Sequence, residues 1–458
     1  VYSSSQRKVR VAITIAGSDS SGGAGIEADL KTFSAMGVYG TVAITSVTAQ
    51  NTHEVRGIYD LPPIAVRKQI EAVYDDIGID AAKTGMLSNA SIVKEVSSTL
   101  KQYDFPLVVD PVMVSKSNAT LLSDDAVGVM IREILPRATV ATPNIPEAER
   151  ISGIKIKGID DAKKAAKAIS ENYGSEAVVV KGGHMGGENS VDVIYYKGQF
   201  KELSSRRINT NTDHGTGCSF SAAIASGLAK GHSILNSIKE AKEFINKAIY
   251  YGLKIGKGHG PVNPSSYIEV PAIKFHMMEE MDKAIELLLK EQQHIAKLIP
   301  EVSMNVAYSL PAKYARSVDD VIAIPGRIRL YGNRLIFDRY PRFGASSHVA
   351  RALLKYMEYF PEYRAASNIA VNDKIIAAVD SLGLLRSSYD RKLEPKDVKK
   401  KEGASLPWGV SEAIKNSGYK RVEVIIDSGD YGKEPGAIVF GKDPLEVVEK
   451  LIAIASRL

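Results

Sequence analysis

The chain of 458 residues holds one cysteine, Cys218, inside the stretch NTDHGTGCSF at 211–220. Gly215, Thr216 and Gly217 stand directly before it, and a run of small apolar residues, SAAIASGLA, follows. Glycines let successive backbone N–H groups converge on one point, and the start of a helix adds partial positive charge. Together they make a hole for a transferring phosphoryl group. Three other clusters suit the same chemistry. The run VVVKGGH offers Lys181 as a cation. Asp110 ends the apolar run FPLVVD, where a carboxylate suits magnesium or a phosphate neighbour; a turn-forming Asp before Pro111 accounts for it equally. In TPNIPEAE, Asn144 and Glu147 stand three apart. That spacing is a helix cap, and one that leaves Glu147 free to face a hydrated Mg2+ on phosphates.

A fourth cluster, AGSDSSGGAGIEADLKTF at 16–33, formally matches the dinucleotide pattern G-x-G-x-x-A from Gly23 to Ala28. Its first glycine comes several residues after the strand, however, and the next strand ends in TAQN, with no acid for a ribose. A glycine-rich lid over a small substrate fits better. Asp29, in the helix behind the lid, either complements the helix dipole or contacts substrate.

Alternating elements must position these clusters. VRVAITIAG, TVAITSVTAQN, IDAAKTGML, FPLVVDPVM, ATVATPN and AVVVKGGH read as strands. GIEADLKTFSAMG, with Gly37 as its C-cap, and PPIAVRKQIEAVYDDIG, with proline in its first turn, read as helices between them. This alternation predicts a parallel sheet covered on both faces. VDVIYYKGQFKEL, around Lys197-Gly198, predicts an antiparallel hairpin at its edge. Near 262–276 the turn-rich GPVNPSSYIEVPAIKF breaks the pattern, and a long amphipathic helix begins at MMEEM. The domain boundary is placed there, giving domains at 1–272 and 277–458.

With 44% hydrophobic and 24% charged residues, the composition is that of a globular protein. A formal charge of +6 suits phosphate-bearing substrates and argues little for nucleic acid. The basic run KDVKKKEG at 396–403 reads as a solvated face. A single cysteine excludes an internal disulfide and a paired-cysteine metal site. No apolar run suits a signal peptide or a membrane span, so a cytoplasmic protein with no membrane or nucleic-acid partner is expected.

Residues 10–265 resemble the hydroxymethylpyrimidine (phosphate) kinases of thiamine biosynthesis, in the ribokinase-like superfamily. AGSDSSGGAGIEADLKTFSAMGVYG, TSVTAQNT, AKTGML, TPNIPEAE, VVKGGH, DHGTGCSFSAAIA and GKGHGPVNP carry the resemblance. It implies an α/β fold, a ribokinase-like α/β/α sandwich, with ATP and Mg2+ as cofactors and pairing into a homodimer or higher homo-oligomer. It places Gln50 on the edge of an aminopyrimidine, with Gly17, Asp29, Thr48 and Met86 around the ring. Asp110 and Glu147 then serve the metal, with Asn144 beside the phosphates. Lys181 neutralises phosphate, Gly215, Thr216 and Gly217 form the anion hole, and Gly258 belongs to a closing loop near the adenine. Cys218 stands where related kinases carry an aspartate base, and its place at a helix start is expected to lower its pKa. Pyridoxal kinases are the nearest rival, which leaves side activity on pyridoxal-type substrates open.

The second part centres on GRIRLYGNRLIFDRYPRFGASSHVARALL at 326–354, with six arginines. Ser346 and Ser347, at the mouth of a helix, make a second anion site, and arginines beside one suit a pyrophosphate. A basic surface with a capped helix is the plainer alternative. Residues 277–458 resemble the ThiN-type thiamine-phosphate synthases, a separate α/β domain, through IPGRI, FDRYPRFGASSHVAR, ASNIA and DSGDYGKEPGAIVFG. The resemblance implies Arg327 and His348 as a catalytic pair, with Arg327 on the leaving pyrophosphate and His348 binding it or supplying a proton. Asp338 and Asp427 are ligand or metal candidates, and Asp427 serves equally as a strand-end turn. The implied substrates are small molecules, an aminopyrimidine diphosphate and thiazole phosphate. The alternative is a regulatory domain that senses thiamine phosphates.

Overall fold

Val11–Asp19 (β1) is buried at all but one of its positions, as a strand covered on both faces must be. The computed structural model describes residues 9–114, 121–184, 186–430 and 434–458. They divide into two compact units, Val1–Glu269 and Val270–Leu458.

In the first unit β1 lies in a nine-stranded sheet with Tyr39–Gln50 (β2), Val55–Asp60 (β3), Ala81–Thr84 (β4), Leu107–Val109 (β5), Val140–Ala141 (β6), Ala177–Val180 (β7), Asn189–Tyr196 (β8) and Gln199–Arg206 (β9). The order is β3-β2-β1-β4-β5-β6-β7-β8-β9. The six strands from β2 to β7 run parallel. β3 at one edge, and the β8–β9 hairpin at the other, pair antiparallel. The hairpin turns on Lys197 and Gly198, both at positive φ, which sets the twist of a two-residue hairpin loop. Crossing over between parallel strands requires helices on both faces. Gly25–Ala35 (α1), Thr216–Ala229 (α7) and Ile234–Tyr250 (α8) cover one, where Phe33, Phe220 and Phe244 meet the sheet. Pro63–Asp76 (α2), Ala90–Leu100 (α3), Asp124–Glu133 (α4), Ile145–Ser152 (α5) and Ile159–Tyr173 (α6) cover the other, through Ile70, Ile92, Met130 and Ile169. The predicted parallel sandwich is what forms, with Gly37 left-handed just past the end of α1.

The helix after the cysteine is buried all round from Ser219 to Ala229. Its small residues allow that: a Cβ at Gly227 would press on Ser237 of α8 at 2.6–3.0 Å. Large side chains there would hold α7 off its neighbours and move the site at its N-terminus.

The turn-rich stretch after residue 262 does not end regular structure. A helix, Ser266–Lys290 (α9), runs through it with Pro271 inside. That proline sits early enough to cost one backbone hydrogen bond, and the apolar spacing beyond it sustains the helix.

The second unit has a seven-stranded sheet in the order β14-β11-β10-β15-β18-β17-β16. Its strands are Val306–Ser309 (β10), Val321–Ala323 (β11), Arg342–Phe343 (β14), Ala365–Ala370 (β15), Arg386–Tyr389 (β16), Val424–Asp427 (β17) and Gly436–Gly441 (β18). Only β16–β17 is parallel. A separate hairpin joins Arg329–Tyr331 (β12) to Arg334–Ile336 (β13). Leu353, Tyr356, Ile414 and Phe440 centre its core, and the Tyr356 and Phe440 rings stack at 3.9 Å. The basic run at 396–403 begins with a short, mostly exposed helix, Lys396–Lys400. No helix among the described residues is long and apolar enough to cross a membrane.

Candidate active site

Parallel strands bring their carboxyl ends to one edge, and ligands of open α/β sheets bind there. In the first unit that edge opens into a cleft of about 600 Å³. Gly17 and Asp19 line it from β1, Thr48 and Gln50 from β2, and Lys83 and Met86 from β4 and its exit. Asp110 follows β5, Asn144 and Glu147 follow β6, and Lys181 follows β7. Gly215, Thr216, Gly217 and Cys218 close the ring from the start of α7.

Gly215 caps that helix with φ +78°, and a Cβ there would collide with the carbonyl of Gly23 in the glycine-rich loop. Only glycine fits both conditions. A Cβ on Gly217 would lie 3.2 Å from Lys181 Nζ and 3.6 Å from Asp110 Oδ2. The open face of the hole therefore looks onto a cation and a carboxylate. Lys181 Nζ bonds Asp110 Oδ1 at 2.8 Å. Burial opposes the ammonium charge, but Asp110 and Glu147 outweigh it and hold the Lys181 pKa above its usual value.

Asn144 and Glu147 form the capping box expected from their spacing. Asn144 Oδ1 accepts from the Glu147 N–H at 2.9 Å, and Glu147 Oε2 accepts from the Asn144 N–H at 2.8 Å. The cap leaves Glu147 lining the cleft at 5% exposure. Burial pushes its carboxyl up to about 7; Lys181 pulls against the rise and Asp110 adds to it.

Two expected contacts lie elsewhere. Asp29 has no exposure. It points beneath the cleft, bonded to Lys83 Nζ at 2.7 Å and Thr14 Oγ1 at 2.6 Å. Its partners are the floor of the site, because its helix packs on β1 and β2 and turns that position inward toward Lys83. Gly258 docks on the loop after β2, its N–H donating to Thr52 Oγ1 at 3.1 Å. There it borders a small hollow with Gln50 and His214 rather than the main cleft.

The thiol also departs from expectation. Cys218 keeps partial access to the cleft, yet its pKa rises. Burial pushes it up to about 11, with Lys83 pulling it down and Asp29 and Asp110 adding to the rise. Desolvation and two carboxylates outweigh the helix N-terminus.

Lys83, Asp19, His214 and the pair Asp192–Lys242 were not singled out from the sequence. Lys83 stays charged although burial opposes it, because Asp29, Cys218 and Asp110 surround it. Asp192 Oδ2 bonds Lys242 Nζ at 2.7 Å, and its Oδ1 accepts from the Gly182 N–H at 2.8 Å, which fixes the turn presenting Lys181. A lysine within AKTGML or a histidine within DHGTG was visible as a motif member, but its partner lay far along the chain.

In the second unit, Arg327, His348, Arg351 and Arg391 share one electrostatic neighbourhood. Burial and then those three guanidiniums hold the His348 pKa below its ordinary value. The neutral imidazole is thereby favoured. Arg327 sits at φ +65° and donates to the Val302 carbonyl at 2.6 Å, a backbone strain typical of functional positions. Ser347 precedes the helix His348–Met357, with Oγ 3.2 Å from His348 Nδ1, and Ser346 is buried behind it. Asp427 behaves as the strand-end turn: Oδ1 accepts from Gly429 N–H at 2.9 Å, while Oδ2 takes Tyr389 Oη and Arg391 Nη1 at 2.8 Å. Asp338 accepts from the Tyr340 N–H at 2.9 Å in an exposed turn.

Residues 19–263 match the family model for phosphomethylpyrimidine kinase, and residues 280–453 match that for thiamine-phosphate synthase ThiN. The hydroxymethylpyrimidine/phosphomethylpyrimidine kinase of Bacillus subtilis (strain 168) is 45% identical over 254 residues, 55% of this chain and 93% of that protein. The thiamine biosynthesis bifunctional protein ThiED of Geobacter sulfurreducens is 44% identical over 252 residues, 55% of this chain and 51% of its own length. Among solved structures, an ADP complex of Bacillus subtilis pyridoxal kinase is 39% identical with a TM-score of 0.54, covering 57% of this chain and 99% of that one. Staphylococcus aureus pyridoxal kinase with AMP-PCP and pyridoxal is 37% identical with a TM-score of 0.53, covering 57% and 96%.

Two stability measurements test the electrostatics of the site. Lys83→Met strands Asp29 without its ion and should cost about 3–5 kcal/mol in urea unfolding. The double substitution Lys83→Met/Asp29→Leu should recover most of that loss. Glu147 binds its proton more tightly folded than unfolded, so the ligand-free protein loses stability as pH rises from the ordinary glutamate range to about 7. Glu147→Gln should remove that slope, worth up to about 3 kcal/mol across the window, as read from melts at pH 5 and 8.

Proposed function

The chain belongs to the phosphomethylpyrimidine kinase family and carries a ThiN thiamine-phosphate synthase domain behind it, and from that premise we propose how its residues divide the work. The first unit phosphorylates hydroxymethylpyrimidine and then its phosphate, with ATP as donor. The second joins the resulting diphosphate to thiazole phosphate, giving thiamine phosphate and pyrophosphate. The observation that carries the kinase reading is the meeting of the Gly215–Gly217 turn, Lys181 and Asp110 around one helix N-terminus. The reading includes a homo-oligomer working in the cytoplasm, supported by the family likeness alone.

Gln50, with Thr48, Gly17 and Met86, holds the pyrimidine edge and aims its hydroxymethyl group at Cys218. Backbone N–H groups at 215–218 and Lys181 receive the charge of the transferring phosphoryl group, where most of the rate enhancement arises. Asp110 and Glu147 fit a hydrated Mg2+. They are two carboxylates beside the phosphate cation, and no cluster of three or more acidic, His or Cys ligands forms among the described residues. That donor set suits an ion held largely by water and phosphate oxygens. Bound there, the ion would spread the negative charge of the phosphates.

Cys218 accepts the hydroxyl proton only as thiolate. With a pKa of about 11, the thiolate fraction at pH 7 is on the order of 10⁻⁴ and grows tenfold per pH unit. A loose transition state tolerates this scarcity, because positioning and charge stabilisation carry most of the catalysis. In the second unit Arg327, with Arg351 and Arg391, draws the pyrophosphate leaving group. His348 is neutral at rest, takes up a proton when that anion arrives, and returns it to the leaving oxygen.

Cys218→Ala should lower kinase kcat by about 10²–10⁴, leave the pyrimidine KM nearly unchanged, and abolish a rise of kcat between pH 7 and 9. Near-full kcat with an intact pH rise rules the thiol out as base. The full reaction is tested by supplying ATP, Mg2+, hydroxymethylpyrimidine and thiazole phosphate and following thiamine phosphate. His348→Ala should stop at the pyrimidine diphosphate. Accumulation of that diphosphate by the unaltered protein would make the second unit a sensor of thiamine phosphates.

A further inference from the structure

Three segments of the cleft meet at one imidazole. His214 Nε2 lies 2.9 Å from Asp19 Oδ2 in the glycine-rich loop and 3.3 Å from the side-chain amide of Gln50. Its backbone bonds Gly260 and Val262 in the closing loop at 3.0 Å. A Cβ on Gly23 would strike the ring, so loop and imidazole are in contact. Asp19 is 2% exposed. It also accepts from Ser21 N–H and Oγ and from Ala24 N–H at 2.8–2.9 Å. Burial works against its charge, yet His214 and Ser21 hold its carboxyl below the usual range.

These contacts decide which way the Gln50 amide faces. An ionised Asp19 only accepts, so His214 Nε2 carries a proton; that one N–H is given chiefly to Asp19 Oδ2 at 2.9 Å and shared with the Gln50 amide at 3.3 Å. A Gln50 NH2 group turned toward that N–H would set donor against donor. A half-turn of the amide places Oε1 toward His214 and Nε2 toward Thr48. Thr48 Oγ1 gives its own proton to the Ser18 carbonyl at 2.8 Å and lies 3.4 Å from the amide, so it is free to accept. Both ends agree on one orientation. What remains of the amide is one N–H and one oxygen lone pair, side by side and in fixed order.

We propose that Asp19 and His214 are the specificity-determining pair of the kinase site: they fix the donor–acceptor order of Gln50 so that it fits a ring nitrogen beside an exocyclic amine. Hydroxylated pyridines lack that adjacent pair and gain nothing from the order. The proposal rests on the reading of Gln50 as the residue that meets the pyrimidine edge. Asp19 and His214 act through Gln50 and are positioning residues.

The test is steady-state kinetics of the full chain on hydroxymethylpyrimidine and on pyridoxal. His214→Leu removes the donor and leaves the turn bonds of Asp19 intact; Asp19→Asn frees the imidazole tautomer. Each should lower kcat/KM for the pyrimidine by about 10- to 100-fold, mainly through KM, and change pyridoxal far less. His214→Gln, which keeps an amide donor, should recover part of the loss. In a Gln50→Ala background neither substitution should shift the substrate ratio further. Equal losses on both substrates, or additive losses with Gln50→Ala, overturn the proposal and leave the kinase assignment standing. An unchanged pyrimidine KM in Gln50→Ala itself overturns the reading of Gln50, and the proposal with it. Thermal melts of each variant separate these outcomes from simple unfolding.

Discussion

Beneath the kinase cleft a lysine and an aspartate with no exposure to water lie 2.7 Å apart. Much of the site rests on this pair. Lys83 stands one residue before the end of β4, near the turn that carries Met86, and Asp29 projects from the helix that the glycine-rich loop feeds. Two buried charges tolerate no loosening, because neither can be left alone in a low dielectric. The pair therefore ties β4 to α1 and fixes the floor against which the lid and the anion hole are placed. It also sets the field above it: Lys83 pulls the Cys218 pKa down, against burial and two carboxylates.

What the sequence discloses and what it hides follow the reach of each interaction. The capping box of Asn144 and Glu147 spans three residues and was legible, as was the hairpin at Lys197-Gly198. So was the parallel sheet, since strands buried on both faces read as continuous apolar runs. The cleft-lining positions carried by the family likeness, from Gly17 to Cys218, also meet in one place. Asp29 and the thiol were misjudged for one reason. A helix dipole is a local property, whereas the burial of Asp29 against Lys83, 54 residues away, and the desolvation of Cys218 are tertiary. Pro271 misled in the other direction, since a turn-rich composition cannot reveal that a helix has already begun.

The two units handle phosphate by different physics. The first meets a group in transit, with backbone N–H groups, a helix end and a single lysine tethered to Asp110. That arrangement is stiff and nearly neutral, and it suits charge that migrates across the site. The second gathers several guanidiniums about one imidazole and holds its pKa down. Guanidiniums keep their charge at any working pH, so of these groups only the imidazole can change its charge.

The raised pKa of the lone cysteine has a consequence outside catalysis. Oxidants and alkylating agents attack thiolates, and susceptibility follows thiolate character and access. At neutral pH Cys218 is almost wholly protonated and only partly reachable. The burial that raises its pKa therefore also lowers its reactivity toward them. With no second cysteine in the chain, no resolving thiol is at hand to trap it as an internal disulfide, so slow oxidation is what its surroundings favour.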